Sequence, residues 1–266
     1  MRRFHLITLF PEACDAYLSA SIIGRARKEK KVSVAYQNPR DFVENRWGKV
    51  DERPYGGGPG MVMQAMPIVK AAQKAIGRIV GHPMSQGHRM SKHGRRAVIV
   101  WFSPVGKPFT NKSADALAKY DEVVLVCGRY EGIDERAKKI LKTLAPVKEF
   151  AVGEAVYTGG EIPALAVVDA VTRRLPGVLG KDESVEERRV ASCTVYTRPE
   201  TIEYEGKKYR VPKVLQTGHH AKINEWRAKK NGRVIGQTTY PLFHVSAAMM
   251  RESEAVATPT TLSAAP

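Results

Sequence analysis

The sequence has few cysteines and no long apolar run. Its 266 residues include only Cys14, Cys127 and Cys193, which form no CxxC pair. We therefore predict neither a disulfide framework nor a structural zinc site, and we expect a reducing, cytoplasmic compartment. No stretch approaches 18 consecutive apolar residues, and the apolar start at Phe4–Phe10 is too short for a secretion signal. We therefore expect neither a membrane span nor export.

Acidic residues are scarce as well. Lysine and arginine number 43 against 27 aspartates and glutamates, a formal charge of +16. Arg53–Ala114 contains ten basic residues and no acid, and Gly206–Arg233 contains nine basic residues and one acid. A merely soluble surface usually mixes both signs. Long stretches of one sign favour a polyanionic partner, with nucleic acid first and an anionic membrane second.

Strand and helix patterns alternate along the first two thirds of the chain. Ala97–Phe102 is a continuous apolar run, typical of a strand buried on both faces, and Glu122–Cys127 (EVVLVC) is predicted to be another buried strand. The alternation predicts an α/β fold with a mostly parallel sheet. The other predicted strands are Phe4–Thr8, Val32–Tyr36 and Glu149–Gly153, and the predicted helices are one beginning at Pro11, Pro67–Ile76, Ser113–Tyr120, Asp134–Leu141 and Glu161–Arg174.

Composition changes divide the chain into four parts. We predict a first, α/β domain over 1–175, a linker over 176–194 and a small basic domain over 195–250, helical around Ala221–Lys230. The low-complexity tail 251–266 is predicted to be disordered. Within the first domain, the polar, histidine-bearing stretch Gly77–Arg96 is predicted to be a mobile loop.

A glycine-rich loop follows each of three predicted strands. These loops are Ser103–Gly106, Gly128–Gly132 and Gly153–Gly160. Parallel sheets bind ligands at the carboxyl ends of their strands, and glycine lets the backbone approach a ligand closely. Neither GxxxxGK[ST] nor a GxGxxG after a strand is present, so the loops favour a ligand without phosphate, such as S-adenosylmethionine. Tight turns without a ligand are the alternative.

Several motifs, taken together, resemble those of one enzyme family. The chain resembles the bacterial tRNA (guanine-N1)-methyltransferases, which belong to the SPOUT, or trefoil-knot, S-adenosylmethionine-dependent methyltransferases. The matching stretches occur in family order over roughly 1–245: TLFPE (Thr8–Glu12), GRA (Gly24–Ala26), RPYGGGPGM (Arg53–Met61), SPVG (Ser103–Gly106), LVCGRYEGIDER (Leu125–Arg136), GEAVYTGGEIPALAVVDAVTR (Gly153–Arg173), PGVLG (Pro176–Gly180), YTRPE (Tyr196–Glu200) and VPKVLQTGHHAKINEWR (Val211–Arg227).

The resemblance implies a fold, a reaction and partners. It implies a deep trefoil knot late in the first domain, a small mainly helical C-terminal domain, and a homodimer with active sites at the subunit interface. The reaction would methylate N1 of the guanosine just 3′ of the anticodon, with the anticodon arm of tRNA as partner rather than DNA or a membrane. Another knotted RNA methyltransferase and a non-catalytic RNA-binding protein are the alternatives.

The resemblance also implies which residues bind S-adenosylmethionine. One group would surround the adenine, a second the ribose and methionine, and a third would close over the cofactor. In chain order they are Trp101, Phe102, Ser103, Pro104 and Gly106; Gly128, Tyr130, Glu131 and Gly132; and Val152, Gly153, Glu154, Ala155, Val156, Tyr157, Gly159, Gly160 and Pro163.

The catalytic assignment is less direct. Arg173 matches the family's catalytic arginine, although an ordinary ion pair with Asp169, four residues earlier, is the alternative. The family's catalytic aspartate position aligns with Arg188 in a shortened linker. We therefore predict Glu187 as the general base and Glu186 as the second choice, against the alternative of a solvated charge run.

The substrate-binding residues implied by the family lie mostly outside the three loops. They are Tyr55, Gly58, Pro59, Arg129, Ser184, Arg198, His219, His220 and Arg227. No cluster of metal-ligating residues is visible, so no protein-built metal site is predicted. A loosely bound Mg²⁺ is compatible with that pattern.

Overall fold

The computed structural model describes residues 1–77, 96–179 and 194–230. It divides into two compact units, Met1–Arg189 and Val190–Pro266. Several predictions fall outside the described residues: Ser184, Glu186 and Glu187 in the linker, the tail 251–266, and all but the ends of the loop Gly77–Arg96. The predicted domain boundaries stay predictions.

The first unit contains a five-stranded, all-parallel sheet, which confirms the predicted α/β class. Its strands lie in the order β2-β1-β6-β5-β7. They are β1 (Arg2–Ile7), β2 (Val32–Gln37), β5 (Ala97–Pro108), β6 (Glu122–Val126) and β7 (Val147–Ala151), and a separate antiparallel pair is formed by β3 (Asp51–Glu52) and β4 (Val62–Met63). Strand β5 is longer than predicted because it bends after Phe102 and pairs with β7 again at Lys107.

In the described residues of this unit, six α-helices pack against the sheet or connect its strands. Proline at the first position of α1 and a left-handed Gly77 after α3 mark helix ends that the sequence already signals. The helices are α1 (Pro11–Leu18), α2 (Ser21–Lys28), α3 (Ala65–Ile76), α4 (Asn111–Leu117), α5 (Glu135–Leu144) and α6 (Glu161–Thr172), of which α2 was not predicted.

Apolar side chains cover both faces of the sheet. Alternate residues of β1 point to opposite faces, so Phe4 and Leu6 join one core cluster and Ile7 joins the other. All five residues of β6 are buried, as expected for the middle strand of a covered parallel sheet. Within the described residues, no helix is both long and apolar enough to cross a bilayer.

The second unit contains a hairpin and a helix among its described residues. Strands β8 (Thr201–Tyr204) and β9 (Lys207–Arg210) pair antiparallel, and helix α7 spans His220–Lys230, close to the predicted Ala221–Lys230. The hairpin was not predicted. Glu205 and Gly206 form its two-residue turn, both with positive φ, a geometry that matches the twist of the two strands.

Candidate functional site

The three glycine-rich loops meet where β5 bends after Phe102 and where β6 and β7 end, and they enclose a cleft of about 290 Å³. We call it the three-loop cleft. Its lining consists of Phe102, Ser103, Pro104, Gly128, Arg129, Tyr130, Glu131, Gly132, Phe150, Ala151, Val152, Gly153, Ala155, Val156, Tyr157, Thr158, Gly159, Gly160 and Pro163. The structure therefore brings together residues from all three predicted cofactor-binding groups.

Two glycines allow the loops to approach this closely. A Cβ atom on Gly160 would lie 2.6 Å from the Cα of Cys127, and one on Gly106 would lie 2.6 Å from the carbonyl carbon of Phe150. Real Cβ atoms do not come so near backbone atoms. The Gly160 amide donates a 2.9 Å hydrogen bond to the Gly128 carbonyl, so the third loop is fixed directly to the second.

Three residues predicted to bind cofactor do not line the cleft. Trp101 is 5% exposed and packs in the core under the Lys138 ammonium, 5.2 Å from its ring centroid. Gly106 packs against β7, and Glu154 is exposed on the third loop. Their assignment stays a prediction from the family resemblance.

The lining also contains residues that sequence reasoning did not assign to the cofactor. Phe150, Ala151 and Thr158 are among them, and so is Arg129, which was predicted to bind substrate. The signal for Phe150 and Ala151 was the end of β7, where a parallel sheet presents ligand-facing residues. We placed that strand two residues too late.

A buried polar network lies beside the cleft. Glu161 is 5% exposed and accepts a 2.8 Å hydrogen bond from the Thr8 hydroxyl. Its other carboxylate oxygen lies 3.0 Å from Nε of Arg129. The Arg129 guanidinium lies 4.5 Å from the ring centroid of Phe10, and the Phe10 amide donates to the Thr8 hydroxyl at 3.0 Å. These four contacts connect Thr8, Glu161, Arg129 and Phe10 in a ring.

Two buried thiols lie near this network and are neutral at ordinary pH. Burial, followed by the negative charge of Glu161, raises the pKa of Cys14 to about 11. The same two causes raise the pKa of Cys127 well above its usual range. Neither cysteine is therefore an activated nucleophile.

Arg173 is not held by Asp169. Instead, the Tyr17 hydroxyl donates a 2.8 Å hydrogen bond to the Asp169 carboxylate. Arg173 is the half-buried C-terminal cap of α6, and in the described parts of the chain its side chain has no ion-pair partner. The alternative interpretation of Arg173 as one half of a helical ion pair is wrong.

The glycine-rich loop before β4 packs against the second loop of the cleft. The Glu131 amide donates to the Met61 carbonyl at 3.0 Å, and a Cβ on Gly60 would collide with the Glu131 side chain. Tyr55 is 98% exposed, and Gly58 and Pro59 are exposed beside it. The predicted substrate residues of this loop thus face solvent.

In the second unit, Arg198, His219 and His220 are exposed, and Arg227 is half-buried. Trp226 packs against Tyr196 with ring centroids 6.3 Å apart, while Ile223 on the same helix is buried. Across 1–77, 96–179 and 194–230, no group of three or more His, Cys, Asp or Glu side chains is arranged to hold a metal ion.

Comparison with known proteins matches the chain to one family. The family model described as tRNA (Guanine-1)-methyltransferase TrmD matches residues 1–244. The chain is similar to proteins named tRNA (guanine-N(1)-)-methyltransferase from Dechloromonas aromatica (43% identity, 87% of this chain and 86% of the relative), Nitrosococcus oceani (40%; 89% and 85%) and Clostridioides difficile (36%; 92% and 98%).

Proposed function

The chain belongs to the tRNA (guanine-1)-methyltransferase family, and we propose that it transfers a methyl group from S-adenosylmethionine to N1 of the guanosine at tRNA position 37, just 3′ of the anticodon. The observation that carries the proposal is the three-loop cleft, which joins the family's cofactor motifs in one place. Because tRNA is the substrate, the proposed location is the cytoplasm.

The lining of the three-loop cleft fits S-adenosylmethionine. Phe102, Tyr130 and Tyr157 offer aromatic and apolar surface for an adenine, and the glycines expose backbone groups. Arg129 and Glu131 are the charged residues of the lining, one of each sign. A cation beside an anion complements the carboxylate and ammonium of an amino-acid end. When bound, the sulfonium supplies an activated methyl group.

The protein's own tasks are to orient the guanine and to remove its N1 proton, because a neutral N1–H is a poor nucleophile. Arg173 would stabilise negative charge developing on the guanine O6, since its cation is unpaired among the described residues. Glu187, or second Glu186, would accept the N1 proton. A loosely held Mg²⁺ needs no protein-built cluster and stays a prediction.

We also propose the knotted topology and the homodimer implied by the family. Support for the knot comes from two close backbone contacts, of Gly106 with Phe150 in β7 and of Gly160 with Cys127 at the end of β6. Support for the dimer is helix α6, whose less buried side carries Ile162, 57% exposed, together with Leu165 and Ala166. An apolar stripe of this kind is stabilised by a second apolar surface.

The test is to incubate the protein with S-adenosylmethionine and a tRNA transcript, and to map methylated nucleosides by mass spectrometry. We expect N1-methylguanosine at position 37 and none in a matched transcript with adenosine there. A methylated ribose or another site would favour another knotted RNA methyltransferase. RNA binding without any methylation would favour the non-catalytic alternative.

A further inference from the structure

One buried carboxylate next to the three-loop cleft has no part in the mechanism above. Glu161 is the first residue of α6, 5% exposed, and 153 residues away in sequence from its hydrogen-bond donor Thr8. A buried carboxylate carries a large desolvation cost unless it is paired. One oxygen of Glu161 accepts the hydrogen bond from Thr8, and the other forms an ion pair with Nε of Arg129 at 3.0 Å.

Glu161 determines how Arg129 faces the cleft. It engages Nε of the guanidinium at 3.0 Å, and Phe10 lies against the same group at 4.5 Å from the ring centroid. Arginine has a rigid planar fork of donors, so fixing Nε fixes the direction of the two terminal amino groups. Those terminal groups have no hydrogen-bond or ion-pair partner within the parts of the chain that the structure describes.

The same contact fixes the third loop. A Cβ on Gly159 would lie 2.5 Å from Nε of Arg129 and 2.6 Å from the Glu161 carboxylate. Gly159 and Arg129 both line the cleft, so the ion pair between Arg129 and Glu161 is packed directly against the cleft wall. A shift of Arg129 would therefore alter the cleft where the second and third loops meet.

We propose that Glu161 is a positioning residue that holds Arg129 to bind the carboxylate of the cofactor's amino-acid end. The inference rests on the proposed function, because it takes S-adenosylmethionine as the ligand. Arg129 is the cation of the cleft lining, and a guanidinium with free terminal amino groups pairs well with a carboxylate. Glu131, two residues along, carries the opposite charge for the ammonium.

The test compares two ligands by calorimetry in the absence of tRNA. S-adenosylhomocysteine and 5′-methylthioadenosine share the adenosine and the thioether, but only the first has the amino-acid end. Glu161→Gln keeps an acceptor for Thr8 and removes the charge that holds Arg129. We expect it to weaken S-adenosylhomocysteine binding roughly tenfold, as for loss of a charge-assisted hydrogen bond, and to change methylthioadenosine binding less than about twofold.

The matched control is Glu122→Gln. Glu122 is a second buried carboxylate, 2% exposed and 3.9 Å from an Arg3 nitrogen, at the opposite end of β6. The Glu122→Gln variant should change the midpoint of thermal unfolding without changing the ratio of the affinities for S-adenosylhomocysteine and methylthioadenosine. Arg129→Gln should show the same ligand-selective loss as Glu161→Gln, and the double variant should lose little more than either single variant.

Three results would overturn the inference: equal weakening of both ligands in Glu161→Gln, no weakening of either, or weaker tRNA binding with unchanged S-adenosylhomocysteine affinity. The last would assign Arg129 to the RNA instead. Failure of the proposed function is a different result, in which the unchanged protein binds neither ligand.

Discussion

Gly160 lies so close to Cys127 that a Cβ atom on the glycine would be 2.6 Å from the cysteine's Cα. The contact joins the start of α6 to the end of β6, and the hydrogen bond from the Gly160 amide to the Gly128 carbonyl strengthens it. The cleft wall therefore depends on a backbone-to-backbone contact that no side chain can relax.

Replacing Gly160 with alanine should therefore damage the cleft more than replacing Gly128. A Cβ on Gly128 would meet only the flexible end of the Ile133 side chain, at 3.3 Å. We expect Gly160→Ala to cost about 1–3 kcal/mol of unfolding free energy and to weaken S-adenosylhomocysteine binding, with smaller effects for Gly128→Ala. Urea unfolding measures the free energy of unfolding, and calorimetry measures S-adenosylhomocysteine binding. Equal losses in the two variants would contradict this explanation.

The proposed composite active site predicts complementation between subunits. Arg173 ends the helix of one domain, and Glu187 belongs to the linker that in the family reaches the neighbouring subunit. Arg173→Ala and Glu187→Ala homodimers should both be nearly inactive, whereas a mixed dimer should regain one intact site. Methyl transfer after verified subunit exchange measures this. A mixture as inactive as its parents would mean that both residues act within one chain.

The proposal that Glu187 is the general base predicts a lower rate of methyl transfer without weaker cofactor binding. Loss of a positioned base typically lowers a rate about 10²–10⁴-fold, so Glu187→Gln should slow methyl transfer by that order and leave cofactor affinity nearly unchanged. Glu186→Gln is the control and should do much less, because Glu187 is the residue proposed to accept the proton. Single-turnover rates at several pH values compare them. Wild-type speed in Glu187→Gln with a slow Glu186→Gln would move the base to Glu186.

The basic surface predicts that RNA binding weakens with salt. Each neutralised phosphate should add roughly 0.7–0.9 to the slope of log K against log salt. Removing one exposed cation of the second unit, as in Arg198→Gln, should reduce that slope by about one such increment. Filter binding of a tRNA transcript at several salt concentrations measures the slope for the wild type and for Arg198→Gln. A slope near zero would mean that the +16 charge does not serve phosphate contacts.

The network around Asp15 predicts sensitivity to acid. Hydrogen bonds from the Tyr36 hydroxyl and Arg27, each at 2.9 Å, lower the pKa of Asp15 below its usual 3.8. A carboxyl whose pKa is lower in the folded state stabilises the fold above its unfolded pKa, and that contribution is lost as pH falls through the folded pKa. Urea unfolding should therefore show a gap between the wild type and Asp15→Asn at neutral pH that narrows below about pH 4. A gap that stays constant with pH would contradict the assignment.

Sequence alone determined the features that depend on local pattern. Apolar runs such as Val123–Cys127 favour a strand in a covered sheet, and loops such as Gly153–Gly160 contain a residue without a side chain where two backbones meet. Turn chemistry is local too, yet the hairpin at Glu205–Gly206 was not predicted, because its two strands are polar and largely exposed and show no apolar alternation.

Tertiary structure decided which distant residues touch. Strand β1 pairs with β6, and so the segment after Ile7 lies beside the segment after Val126. That adjacency places Thr8 against Glu161 and Phe10 against Arg129. It also gives Asp169 a partner in Tyr17 rather than the nearby Arg173. Strand order and helix packing depend on the free energy of the whole core, which no local period in the sequence encodes.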